Sequence, residues 1–338
     1  MRKILCCLLV LTLAFMAGGC KIMDWIFPDK DLEPPEGDEG DGLEEPGPGE
    51  ETGVGMRKSI LYVTDNLGRY ILPVTYQVPR EEGIAKAVLS HLVEGGPAHQ
   101  YLTTSGLKEV LPARTTILGM TIEDGLAVVD FSPQLLQTVD ADHERLLLDA
   151  LTYTLTEFDT IDRVTLWVNG HLLTKMTHGT PVAAVLTRER GINSPVSAKG
   201  TGNTVTIYLG LDSLASGLLL VPVTRPVASA AEPSAAALEQ LIGGPAGDEV
   251  GLLAILPAGT RVQRLNLEGD TAVVDFSADL AQAAKLEAAV GAIVLTLTEL
   301  PNISRVKLTV DGQCLSLPDG KNLAEPVLRP SSANPLAF

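Results

Sequence analysis

The chain has 338 residues, enough for about two ordinary domains. Its hydrophobic content of 45% can fill two cores, and with only 4% aromatic residues those cores must be aliphatic. A net charge of −17 excludes nucleic acid as a partner, because phosphate binding needs clustered Lys and Arg.

Met1-Arg2-Lys3 and the apolar run from Ile4 to Ala17 read as a signal peptide, the run being too short to span a bilayer. It ends in Ala17-Gly18-Gly19-Cys20, and small residues before a cysteine resemble a bacterial lipobox. Residues 1–19 are therefore expected to be removed and Cys20 to carry diacylglycerol, whose two acyl chains anchor stably where one is marginal. Between Asp24 and Glu51 stand twelve acids and one base, Lys30. Residues 20–55 thus read as an acidic disordered tether, extended by its own charge. The folded part is placed outside the cell, lipid-anchored to the outer face of the cytoplasmic membrane. Cys6, Cys7, Cys20 and Cys314 have neither disulfide nor metal spacing, and Cys314 is expected to fill core.

The folded part writes one block twice. Ala127-Val128-Val129-Asp130-Phe131-Ser132 recurs as Ala272-Val273-Val274-Asp275-Phe276-Ser277, 145 positions on. Such a repeat organises the rest of the reading. In the first copy, expected over 56–195, Ser59–Thr64 and Arg69–Val78 read as strands. Pro73 in the second strand places it at a sheet edge. A helix opens at Pro79 and runs to Glu94, stopped by Gly95-Gly96-Pro97. A polar loop leads to Leu111-Pro112. Thr115–Ile122 and Leu126–Phe131 form a hairpin turning at Glu123-Asp124-Gly125. Ser132 and Pro133 suit an N-cap and first helical residue. The main helix spans Asp142–Phe158, with Leu148, Leu151, Leu155 and Phe158 at helical period. Arg163–Val168 is a strand, and Asn169-Gly170 turns it back along His171–Met176.

The second copy, expected over 202–330 with a tail at 331–338, repeats the order. Tyr208 matches Tyr62, Pro222 matches Pro73, and Gly243-Gly244-Pro245 closes the first helix. Leu256-Pro257, the doubled block, the face Val290, Ile293, Leu297 and Leu300, and Arg305 to Gly312 follow. The fold class is α+β: two tandem repeats, each a mainly antiparallel sheet with helices packed on one face.

The twins also test chemistry. His91, His99, His143, His171 and His178 all lie in the first copy without a histidine twin, so a shared His-based metal or acid-base site is excluded, and they read as scattered surface residues. Both copies keep Asp130 with Asp275, Glu157 with Glu299 and Arg163 with Arg305. Paired carboxylates suit a wall hydrolase. An Asp just before a helix start more often takes backbone N–H groups there, and Glu157 and Arg163 flank one turn and can pair. No catalytic, cofactor or metal residue is assigned, so Cys20 is the one site residue. Few aromatics disfavour sugar stacking by a wall-binding module. Trp167 and Arg163 make the first copy the expected recognition half.

The ordered set is a Leu-x-x-Leu helix ending in Gly-Gly-Pro, then Leu-Pro-x-x-Thr, Val-Val-Asp-Phe-Ser, Thr-x-Thr-Glu and Arg-Val-x-Leu-x-Val-x-Gly. Occurring twice behind a lipobox, it resembles the GerMN domain family of sporulation and spore germination proteins. The resemblance implies a spore-forming Gram-positive bacterium and a non-enzymatic envelope protein without cofactors or small-molecule substrate. It further implies partners among envelope or sporulation-complex proteins at the mother cell–forespore interface, where the protein assembles or localises that complex.

Overall fold

The computed structural model describes residues 55–79, 83–194, 203–228, 231–332 and 334–335; the expected signal peptide, Cys20 and nearly all of the tether lie outside them. The first repeat contains β1 (Met56–Asp65), β2 (Ile71–Pro79), α1 (Ile84–Ser90), α2 (His99–Thr104), β3 (Leu107–Lys108), β4 (Ile117–Glu123), β5 (Leu126–Phe131), α3 (Ala141–Leu155), β6 (Arg163–Val168) and β7 (His171–Leu172). The second contains β8 (Thr204–Ser213), β9 (Gly217–Pro226), α4 (Pro233–Gly243), β10 (Leu252–Leu253), β11 (Val262–Glu268), β12 (Thr271–Phe276), α5 (Leu286–Thr298), β13 (Arg305–Val310), β14 (Gln313–Cys314) and β15 (Val327–Leu328). The two tandem α+β repeats are therefore present, with mostly antiparallel pairing.

The strands of each repeat divide into two sheets rather than one. The orders are β2-β1-β3 and β4-β5-β6-β7, then β9-β8-β10 and β11-β12-β13-β14, with β15 also on β13. Within the larger sheets β5 with β6 and β12 with β13 run parallel. In each case a helix stands between the two strands in sequence, and a crossover of that kind returns the chain in the same direction. The doubled block is the central strand of this unit. Ala127, Val129 and Phe131 point into the core and are fully buried, while Val128 and Asp130 alternate outward. One apolar cluster runs through both repeats. Among the described residues no helix is long and apolar enough to cross a membrane.

Pro73 and Pro222 do lie on edge strands, β2 and β9. Both hairpin turns take positive φ at two successive residues, 47° and 77° at Asp124-Gly125 and 51° and 76° at Asn169-Gly170. That is the type I′ geometry the flanking strand twist favours.

Four local expectations change. Helix α1 ends at Ser90, because Leu92 and Val93 turn their backbone to the Val110–Leu111 segment instead. Helix α2 replaces the expected polar loop; Leu102 is its one buried residue, so it carries no apolar period. Ser132 stands at the start of a 3-10 turn, yet its hydroxyl accepts the Thr116 N–H at 3.0 Å, and Ser277 accepts that of Arg261 at 3.1 Å. Ser132 and Pro133 do open a helical turn as expected, but the serine hydroxyls lock the preceding hairpin instead of accepting from that turn. Cys314 is exposed on β14, as its twin Leu172 is on β7, so it is not core filler.

Candidate functional site: the seam between the repeats

The acids that both copies keep are bound to the fold. Both carboxylate oxygens of Asp130 accept the Gly170 N–H, at 3.1 and 3.0 Å. Asp275 accepts the Thr309 hydroxyl at 2.6 Å and the Gly312 N–H at 2.9 Å. Those same two donors hold the Asp275 carboxyl below the ordinary range. Each Asp thus pins the hairpin turn beyond the neighbouring parallel strand, not a helix start. The partners of each Asp lie within its own repeat.

Glu157 does not pair with Arg163, whose guanidinium donates to the Asp124 carbonyl at 2.7 Å. Glu157 instead accepts the Tyr62 hydroxyl at 2.9 Å and Arg188 at 2.5 Å. The second repeat copies the arrangement: Glu299 accepts the Tyr208 hydroxyl at 2.8 Å and pairs with Arg329. The twin of Arg329 is therefore Arg188; the nearby Arg190 pairs with Asp149 at 2.8 Å. The helix positions the rest of the unit. Thr154 and Thr296 accept the backbone N–H of Tyr62 and Tyr208 at 3.0 and 3.1 Å. Thr156 and Thr298 accept Arg188 and Arg329 at 2.8 and 3.1 Å. The repeated Thr-Leu-Thr-Glu thus supplies three ligands from one helix end.

Burial, and next the neighbouring Glu157, push the Tyr62 hydroxyl far above its ordinary range; burial and Glu299 do the same to Tyr208. Burial also opposes ionisation of Glu299, but Arg329 and Arg188 outweigh it and hold its carboxyl below the usual range. Arg188 comes from the first repeat and Glu299 from the second, so the two units share one electrostatic field across the seam.

The seam itself is closed by two asparagines. Asn193 accepts the Ile71 N–H at 2.8 Å and donates to the carbonyls of Ile71 at 2.6 Å and Pro222 at 2.7 Å. Asn334 accepts the Leu220 N–H at 2.8 Å and donates to Leu220 at 2.8 Å and Pro73 at 2.9 Å. Ile71 and Leu220 are twins, and so are Pro73 and Pro222. Strands β2 and β9 therefore face each other antiparallel about a local dyad near Leu72 and Val221, both fully buried. The asparagine amides stand where a strand would have supplied hydrogen bonds. Each asparagine has positive φ, 49° and 41°, which Asn tolerates better than most residues. The flanking Ile192 continues the strap, accepting the Thr224 N–H at 2.9 Å and donating to its hydroxyl at 3.0 Å.

The hairpin tips add a second reciprocal contact. Tyr70 donates to the Val250 carbonyl at 3.1 Å, and Ser216 donates to the Ser105 carbonyl at 2.8 Å.

A family model described as Germane, sporulation and spore germination, matches residues 60–174 and 206–316. The chain belongs to the Germane family. Spore germination protein GerM of Bacillus subtilis (strain 168) is 33% identical over 291 residues, covering 82% of this chain and 78% of that protein. The solved tandem GerMN domains of the sporulation protein GerM from Bacillus subtilis share 30% identity, with a TM-score of 0.74 over 84% of this chain and all of theirs. The expected tandem GerMN architecture therefore holds, and the chain is a GerM-like sporulation and germination protein.

In this Germane chain the histidines are not all surface residues, and two of them, His99 and His143, line one cleft of the first repeat. His91 is buried, with Nδ1 2.8 Å from the Ala87 carbonyl and its ring 5.2 Å from Tyr76. His143 and His178 meet the carbonyls of Val110 and Thr138 at 2.8 and 2.7 Å. Among the described residues no group of three His, Cys, Asp or Glu is placed to hold a metal. Sequence reasoning found Glu157, Glu299 and the tyrosines as twins but missed Asn193 and Asn334 as a clasp. The signal was there: an Asn after each repeat, five residues beyond Arg188 and Arg329.

Proposed function

We propose that this chain is a non-enzymatic, lipid-anchored assembly or localisation factor of the sporulating envelope, acting by protein–protein contact. One observation carries the reading. The acids kept by both copies, Asp130, Asp275, Glu157 and Glu299, are engaged in hairpins or in the seam. What remains for function is surface. The likeness to a sporulation protein in Bacillus subtilis supports the setting. The lipobox-like Ala17-Gly18-Gly19-Cys20 and the acidic tether support an anchored protein held away from an anionic membrane.

The test is capture of envelope proteins by the tagged full chain in sporulating cells, together with imaging of where it sits. A discrete partner and enrichment between mother cell and forespore are expected. Capture of nothing, with the protein spread evenly over the membrane, would overturn the proposal. Cys20→Ala should move the chain from the membrane fraction to the soluble one.

A further inference from the structure

The first repeat has residues that the second lacks, and they gather in one place. Twins stand 149 positions apart at Leu92 and Leu241, 145 at Leu111 and Leu256, and 142 at Leu155 and Leu297. The extra residues of the first repeat therefore fall at Glu94, in the stretch holding α2, and between Ser132 and α3. All three places line a single cleft of about 820 Å³, through Glu94, His99, Val139, Asp140 and Asp142. Insertions in a repeat protein map to loops on one face, and that face often binds.

The cleft has a definite chemistry. Four carboxylates line it, those of Glu94, Glu109, Asp140 and Asp142, with His99, His143 and, as the one Lys or Arg among its lining residues, Lys108. Arg145, outside the lining, pairs with Asp142, and Asp140 accepts the His143 backbone N–H at 2.7 Å. The Glu109 side chain is 3% exposed and held by His99 Nδ1 at 2.9 Å, so a fixed polar pair is set into the wall. Leu67 and Val139 line it too, with 65% and 74% of their surface in solvent. The second repeat has Ala254 where Glu109 stands, and Lys285 at the helix entrance that Asp140 occupies. It does not reproduce this combination. The acidic segment from Asp24 to Glu51, with twelve acids to one base, is excluded as occupant by charge.

We infer that this cleft is the docking site for a polypeptide segment of a partner, one that presents a lysine or arginine beside an aliphatic side chain. The inference rests on the reading of the chain as an interaction module and gives that module an address. The aliphatic group lies on Leu67 and Val139, and the cation meets the carboxylates at the helix entrance. Placed at a cleft, an acidic field also speeds the encounter with a basic segment.

A random dodecapeptide library displayed against the full chain tests this. Enriched sequences should pair a basic residue with an aliphatic one. A labelled winner should bind at least tenfold more weakly to Glu94→Lys/Asp142→Lys, and to Leu67→Ser/Val139→Ser. It should bind unchanged to Glu239→Lys/Glu268→Lys in the second repeat. The cleft substitutions are at exposed positions, and thermal melts matching the parent establish that they fold. Winners without a basic residue, equal binding by the cleft variants, no saturable binding, or preference for purified wall glycan would each overturn the inference. Capture from sporulating envelopes separates the two levels. Partners retained by the cleft variants remove the cleft alone, whereas no partner on the parent removes the interaction reading.

Discussion

Replacing Asn193 with glycine isolates the clasp, because glycine accepts the φ of 49° and deletes only the amide. Three hydrogen bonds are lost, at 2.8, 2.6 and 2.7 Å. Each contributes about 0.5–1.5 kcal/mol net, so the sum is about 1.5–4.5 kcal/mol. The groups left behind belong to Ile71 and Pro222, both buried, so leaving them without partners favours the upper half, about 3–4.5 kcal/mol. Glycine also adds unfolded-chain entropy of roughly 0.5–1 kcal/mol. Asn169→Gly, in a surface turn at φ 51°, measures that share and is subtracted. Asn334→Gly should cost somewhat less, because its three bonds, at 2.8, 2.8 and 2.9 Å, are the same set seen from the other repeat but two of them serve Leu220, which is only partly buried.

Urea unfolding followed by two probes is the assay. Trp167 lies in the first repeat, and with Trp25→Phe in the tether it is the one tryptophan of the chain, so its fluorescence reports that half, while far-UV circular dichroism reports both. In the parent the two transitions should coincide. In the double variant they should separate, as the repeats lose the contact that makes them unfold together. A single variant within about 0.5 kcal/mol of the Asn169→Gly control, or coincident transitions in the double variant, would refute the account of the seam.

Three further outcomes follow from the same geometry. The Glu299 carboxyl is held below its ordinary range, so it stabilises the fold above the unfolded value of about 4.3, and that share is lost as pH falls through the lower folded value. Glu299→Gln should flatten the fall of the melting temperature as pH drops below the unfolded value of about 4.3. At neutral pH the variant should lose about 1–3 kcal/mol, less than a fully buried pair because Arg329 is partly solvated. Asp130→Ala should cost about 1–2 kcal/mol in urea unfolding through the lost Gly170 contact, and any captured partner should still bind. Cys314, exposed on β14, should be alkylated in the native protein without denaturant, as read by mass spectrometry of its peptide.

The sequence made the strands and the doubled block legible because each signal was local. Alternation in Ala127 to Phe131, proline at 73, and Asn-Gly at 169 each act within a few residues. The parallel pairing of β5 with β6 was not legible, since strand direction depends on where α3 packs and not on either strand. The partners of Asp130 and Glu157 were missed for a related reason. Both acids were assigned to neighbours in sequence, whereas Gly170 and Arg188 lie 40 and 31 positions away. Helix α2 was missed because a short helix burying only Leu102 leaves no periodic trace. The cleft was legible only as slippage between twins, which reads as loop variation until the structure shows the slips share a wall.

Twin residues and private residues therefore divide the work. About a local dyad, a residue kept in both copies acts twice, once on each side: Tyr62 with Tyr208, Glu157 with Glu299, Arg188 with Arg329, Asn193 with Asn334. Selection on the seam alone would preserve such pairs and leave other surfaces free to diverge. One copy could then acquire Glu109 and the loop at Val139 while the other kept Ala254 and Lys285. The same division explains why internal comparison located the scaffold and could not locate a binding site. Comparison of twins finds what the copies share, and a site that meets one partner per chain has no reason to be shared.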